Sequence, residues 1–138
     1  MSRRFEAALF VGVAFALGVP LPTLAQQPTP DQIQAGYARR VQDEPNNPEL
    51  FFELATVYWD AAYRFRATLS AVQQGELIAR GLLSVDRALT LKPDYREALI
   101  YKNLLLRSQA TVEPDPARQQ ALIREADELR ERARELAR

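Results

Sequence analysis

Pro45-Asn46-Asn47-Pro48-Glu49 decides how this chain is read. A proline pushes the residue before it out of the helical region, so a helix arriving from upstream must end ahead of Pro45. Two residues on, Asn47 is a good N-cap, and Pro48 after it suits a first helical position, where no N–H is needed. The stretch therefore closes one helix and opens another. Its outline returns 48 residues later as Pro93-Asp94-Tyr95-Arg96-Glu97. A recurring helix boundary marks a repeated helical unit, and such units bury their apolar faces only by stacking on neighbours.

Upstream of the first boundary, Thr29, Pro30 and Gln32 have the spacing of a capping box, which predicts a helix from Pro30. Ile33, Tyr37 and Val41 then recur every four residues. Downstream, Phe51, Ala55, Tyr58, Ala62 and Phe65 form one stripe of a helix running to about Arg66, with an Asp60–Arg64 pair on its polar side. Phe52, Thr56, Trp59 and Tyr63 form a second stripe about 100° round the helix. Two apolar faces require two neighbours. A turn is expected around Ala67 to Ala71, with Thr68 or Ser70 as cap, before a third helix to about Leu91. There Leu77, Gly81, Ser84 and Ala88 make a ridge of mostly small residues, so Gly81 and Ala88 are placed at a helix crossing. A larger ridge of Ile78, Leu82, Val85 and Leu89 lies beside it.

The second boundary opens a helix over about Asp94 to Ala110 that is apolar nearly all round and hence expected to be buried. Val112-Glu113-Pro114-Asp115-Pro116 breaks it, and Asp115 caps a fifth helix. Leu122, Ala126, Leu129, Ala133 and Leu136 run down that helix at heptad spacing, and Asp127–Arg130, Glu128–Arg132 and Glu131–Arg134 flank them at supporting offsets. This is the pattern of a lid with one apolar seam and one wet face. No alternating strand pattern is found, so the fold class is all-α, a short antiparallel helix-hairpin array of about five helices.

The first 25 residues read as a leader. Arg3 and Arg4 precede an apolar run from Ala7 to Val19, and Thr23-Leu24-Ala25 supplies a cleavage site ahead of Gln26. The run is short of the roughly 20 residues needed to span a bilayer. The expected division is a signal peptide over 1–25, a flexible tail over 26–30 and a helical domain over 31–138, exported to the periplasm or beyond. No stable membrane insertion is expected after cleavage. The leader takes only Arg3, Arg4 and Glu6 from 18 basic and 18 acidic residues, so the remainder stays near neutral. Such a balance offers no electrostatic footprint for nucleic acid or anionic lipid.

The chain has neither histidine nor cysteine. That removes the usual general base at neutral pH, the thiol nucleophile and the common zinc ligands. No glycine-rich phosphate loop appears. Neither a metal nor a cofactor is expected, and an enzyme would need a carboxylate pair such as Asp60 with Asp86. Lys102 and Asn103 interrupt the most apolar helix. Either they line a groove, or Asn103 bonds a neighbouring helix while Lys102 pairs with Asp60 or Asp86; internal satisfaction is the favoured reading. The stripe Phe52, Trp59 and Tyr63 either packs on the first helix through Tyr37 and Val41 or anchors a peptide.

Phe51, Leu54-Ala55, Tyr58, Gly81, Ala88 and Pro93 fall in the order and roles of a tetratricopeptide repeat, and the chain resembles that family from about Asp31 to Arg138. Lys102 and Asn103 stand where Leu54 and Ala55 stand in the first unit. Tyr58-Trp59-Asp60 and the stretch from Tyr101 to Arg107 resemble small exported bacterial members. The standard unit has about 34 residues, well under the spacing here, so longer helices or an enlarged turn must absorb the excess. The resemblance implies a non-enzymatic scaffold of the bacterial cell envelope, holding a segment of an unidentified protein partner on a concave surface of the second and fourth helices. Phe52, Trp59, Tyr63, Lys102, Asn103 and Arg107 are the candidate partner-binding residues. The alternative is a structural, self-associating repeat protein whose apolar seams meet a second copy.

Overall fold

The computed structural model describes residues 29–138. The leader over 1–25 lies outside the described residues. Five helices follow in order: α1 (Pro30–Asp43), α2 (Pro48–Arg64), α3 (Ala71–Leu91), α4 (Arg96–Val112) and α5 (Pro116–Glu135). Among the described residues there is no strand, and no helix is long and apolar enough to cross a membrane.

Local chemistry sets the helix ends. Thr29 Oγ1 accepts from the Gln32 N–H while Gln32 Oε1 accepts from the Thr29 N–H, so the last two residues assigned to a flexible tail already belong to a capped start. Ser70 and Gln73 repeat the device at α3. Asn47 caps α2 through the Glu49 N–H, and Asp115 caps α5 through the Ala117 N–H, each with proline next in line. The turn between α2 and α3 comes slightly earlier than expected. Phe65 closes α2, and the Thr68 hydroxyl donates to the Phe65 carbonyl inside the turn, leaving the capping to Ser70.

The two proline boundaries are built alike. Glu44 and Lys92 each end a helix by donating to the carbonyl four residues back, both at 2.9 Å. Asn47 and Tyr95 each donate to the carbonyl three back, both at 3.1 Å, and the next helix starts there. They differ at the cap. Tyr95 makes no side-chain cap bond; its ring is buried instead, 5.0 Å from that of Phe52. Burial of the ring here replaces a cap worth about 1 kcal/mol. α4 starts at Arg96, two residues after the expected Asp94 and at the same offset from Pro93 as α2 has from Pro45.

The helices pack as two hairpins, α2 with α3 and α4 with α5, joined mainly by α3 against α4. α1 lies on α2, and α2 also touches α4. A pair of long-range ties recurs in the hairpins. Arg87 on α3 donates to the carbonyl of Pro45, at the start of its own hairpin, at 3.2 Å. Arg132 on α5 donates to the carbonyl of Pro93 at 2.9 Å, and its guanidinium also reaches Asp94 at 3.2 Å. Arg132 is thus turned to the boundary and away from the expected pairing with Glu128, whereas Asp60–Arg64, Asp127–Arg130 and Glu131–Arg134 all form.

The core holds Ala55, Ala62, Ile78, Val85, Ala88, Tyr95, Ala98 and Leu105. Gly81 sits at a close crossing of α3 with α2 and α4. A Cβ placed there would lie 2.8 Å from Leu105 Cδ2 on α4 and 3.3 Å from Tyr58 Cβ on α2. Glycine costs up to about 1 kcal/mol against alanine inside a helix, and close approach of three helices is what it permits. On α5, Ala126 and Ala133 are the buried residues, while Leu136 at the end of the heptad seam is exposed.

Candidate partner-binding cleft

α2 and α4 meet along an aromatic seam. The Phe52 ring lies 5.0 Å from Tyr95 and 5.3 Å from Tyr101, nearly edge-on to the latter. The Trp59 indole meets Tyr101 edge-on at 5.7 Å and stacks on Tyr63 at 5.2 Å with 10° between planes. These are favourable aromatic geometries. The ring partners of this stripe are therefore on α4 rather than on α1. The Tyr37 ring instead carries the Arg40 guanidinium 5.2 Å from its centroid.

Past Tyr101 the seam opens into a cleft of about 340 Å³. Trp59 and Tyr63 form one wall from α2, while Leu104, Arg107, Ser108 and Thr111 form the other from α4. Those four positions follow the i, i+3, i+4, i+7 spacing of one helix face. Arg66, from the turn after α2, and Gln74, from the first turns of α3, close the end. Tyr63 is 51% exposed although Trp59 stacks on its ring. Arg66 donates to the Tyr63 carbonyl at 2.7 Å and places its guanidinium 4.4 Å from the Tyr63 ring centre. Arg107 is held from two sides: Nε donates to Asn103 Oδ1 at 2.8 Å, and Nη2 reaches Asp127 Oδ1 on α5 at 2.6 Å.

The structure thus brings Trp59, Tyr63 and Arg107 into one cleft. Phe52 lies further along the seam, packed against the core. Asn103 is buried and bonds Arg107 on its own helix, not a neighbouring one as expected; it reaches α5 only through that arginine. Lys102 points to the other side of α4, where Nζ lies 2.9 Å from Asp86 on α3 and 3.3 Å from Glu125 on α5. One ammonium therefore ties three helices. Asp60 is bonded to Arg64 and Asp86 to Lys102, so each carboxylate of the suspected pair has its own cation. Sequence reasoning missed Leu104, Ser108 and Thr111, which the helical spacing from Arg107 would have found. It also missed Arg66 and Gln74, for which nothing local gives a signal, because the path of the turn decides where they land.

Burial works against the Lys102 charge, but the hydrogen bonds and attraction from Asp86 and Glu125 outweigh it, so its pKa is raised above the ordinary 10.5. The Tyr95 pKa is raised above 10.0 by burial and by the nearby Glu49, Glu97 and Glu53. Both shifts act in the same direction on stability. A raised folded-state pKa contributes stability that is complete below the unfolded value and lost as pH climbs through the folded one. Urea midpoints should therefore hold through neutral pH and fall above about pH 10. Lys102→Met should make that alkaline fall shallower; an identical fall in the variant would show that the three-helix tie does not contribute.

A wider depression of about 500 Å³ lies at Glu44 to Glu49, but it is lined only by six consecutive residues, the α1–α2 connection and the first two residues of α2. Among the described residues no three acidic side chains gather as a metal site would need. No family model, curated protein or solved structure matches this chain.

Proposed function

We propose that this chain is a non-enzymatic protein-interaction module that works after export to the bacterial envelope, with its two stacked hairpins acting as a tetratricopeptide-like scaffold. The observation that carries the proposal is the α2–α4 cleft, whose lining combines the exposed Tyr63 with Trp59, Leu104 and two arginines, Arg66 and Arg107. Trp, Tyr and Arg are the residues that dominate binding hot spots, and they do so in clefts that exclude water. A partner segment laid along the cleft would bury the part of Tyr63 that is exposed.

Site-specific photocrosslinking in cells tests this. A benzophenone side chain is installed at Tyr63 and, as control, at Leu83 on α3, which is 72% exposed and outside the cleft. A discrete light-dependent adduct with another protein from position 63 alone is the expected result. No adduct at 63, or the same adducts from both positions, would overturn the cleft as a docking site. Self-association is the second reading. Val72 and Leu83, both more than 70% exposed, lie eleven residues apart on α3 and so share one face after about three turns. An adduct of twice the chain's mass from position 83, with a dimer by light scattering, would favour it.

A further inference from the structure

We infer that the segment this cleft receives is acidic and carries an aromatic or large aliphatic side chain. The inference rests on the interaction reading above and adds the chemistry of the partner. It comes from the charge of the walls. The cleft continues past Arg107 and Thr111 into a second hollow of about 250 Å³ that reaches Gln119 and Ile123 on α5. Along this whole path there are two arginines and no carboxylate among the lining residues, in a chain where acids and bases are equal in number.

Neither arginine is neutralised outright. Arg66 has no carboxylate partner among the described residues; its bonds are to a carbonyl and a ring face. Arg107 shares Asp127 with Arg130, which lies 3.3 Å from the same oxygen. Arg130 also meets Glu131, and Glu131 meets Arg134. That surface chain counts three guanidiniums against two carboxylates and ends with a surplus positive charge. Asp60 is taken by Arg64, while Glu113 and Glu125 line a different depression between α4 and α5. A carboxylate entering the cleft would meet Arg66 and the free side of Arg107, and planar guanidiniums suit carboxylates geometrically. Between them, Trp59, Tyr63 and Leu104 present an apolar and aromatic surface that a solely charged segment would leave unused.

The chain supplies its own reporter, since Trp59 is its one tryptophan. The full chain is titrated with capped peptides of sequence EEFEE, KKFKK and EESEE while Trp59 emission is followed. EEFEE should give a saturable change that weakens as salt is raised, with KKFKK and EESEE at least tenfold weaker, the size of one charge-assisted hydrogen bond or one buried ring. Arg66→Gln should weaken EEFEE by roughly three- to tenfold, while Arg80→Gln on α3, outside the cleft, should leave it unchanged. Arg107→Gln should weaken it as well; because that side chain also holds Asn103 and Asp127, its helical circular dichroism is checked alongside, and Arg66→Gln remains the deciding variant. Equal binding of KKFKK, no saturable change with EEFEE, or an unaltered Arg66→Gln variant would each overturn the proposal. A photoadduct at position 63 together with failure of EEFEE would withdraw the acidic class alone. Loss of both would remove the cleft as a binding site.

Discussion

Leu105→Ala is expected to lower the free energy of unfolding by about 3–4 kcal/mol, the usual cost of emptying a leucine site that cannot collapse. Leu105 is wholly buried and belongs to the central cluster. Its methyls lie over Gly81, where there is no side chain to move into the vacated space. A domain of this size is stable by only about 5–15 kcal/mol, so the variant should be folded but much closer to its limit. Urea unfolding followed by helical circular dichroism measures the loss. A change below about 1 kcal/mol would mean that α3 and α4 close over the cavity, contrary to a tightly packed crossing.

Gly81→Leu should be comparably damaging by the opposite route. Even a Cβ meets Leu105 Cδ2 at 2.8 Å and Tyr58 Cβ at 3.3 Å, and a full isobutyl group has no room without parting α3 from both α2 and α4. Overpacking of this kind typically costs 1–3 kcal/mol, and here about 3 kcal/mol is expected because two helices must move. Gly81→Ala is a milder test. It gains about 1 kcal/mol of helix propensity, but the Leu105 end must rotate and Tyr58 Cβ, at 3.3 Å, must give slightly, so the two effects should offset and leave it near neutrality. The double variant Gly81→Ala with Leu105→Val should then be less destabilised than the sum of its parts, since the residues share one space. Simple additivity there would mean that the two side chains do not compete.

Much of the helical plan was legible from residues within a turn of one another. Thr29 with Gln32, Asn47 with Pro48 and Asp115 with Pro116 mark helix starts that the structure keeps, because caps are satisfied by neighbours in sequence. The small residue at position 81 announced a crossing for a similar reason: only close approach compensates for a glycine inside a helix. Legibility failed where a side chain had a choice of distant partners. Arg132 was expected on Glu128 and bonds the Pro93 carbonyl instead. Asn103 was expected to reach another helix and turns back to Arg107. Tyr95 fell inside the expected fourth helix and is instead its N-cap residue, with a buried ring in the α2–α4 seam. In each case the outcome involves a residue brought near only by packing: Asp94 for Arg132, Asp127 for the arginine that Asn103 bonds, and Phe52 for Tyr95.

By itself the amino-acid order determined that this protein is helical, where most of its helices begin, and which faces must be covered, since backbone satisfaction and apolar periodicity are settled over a few residues. Only the tertiary structure decided that Lys102 ties three helices while Arg107, about 140° round the same helix, lines a cleft, and that Arg66 and Gln74 line it too. Those outcomes depend on the angles at which helices pack and on the path of the turn after α2. Both are fixed by the balance of many contacts between residues far apart in the chain, which no short stretch contains.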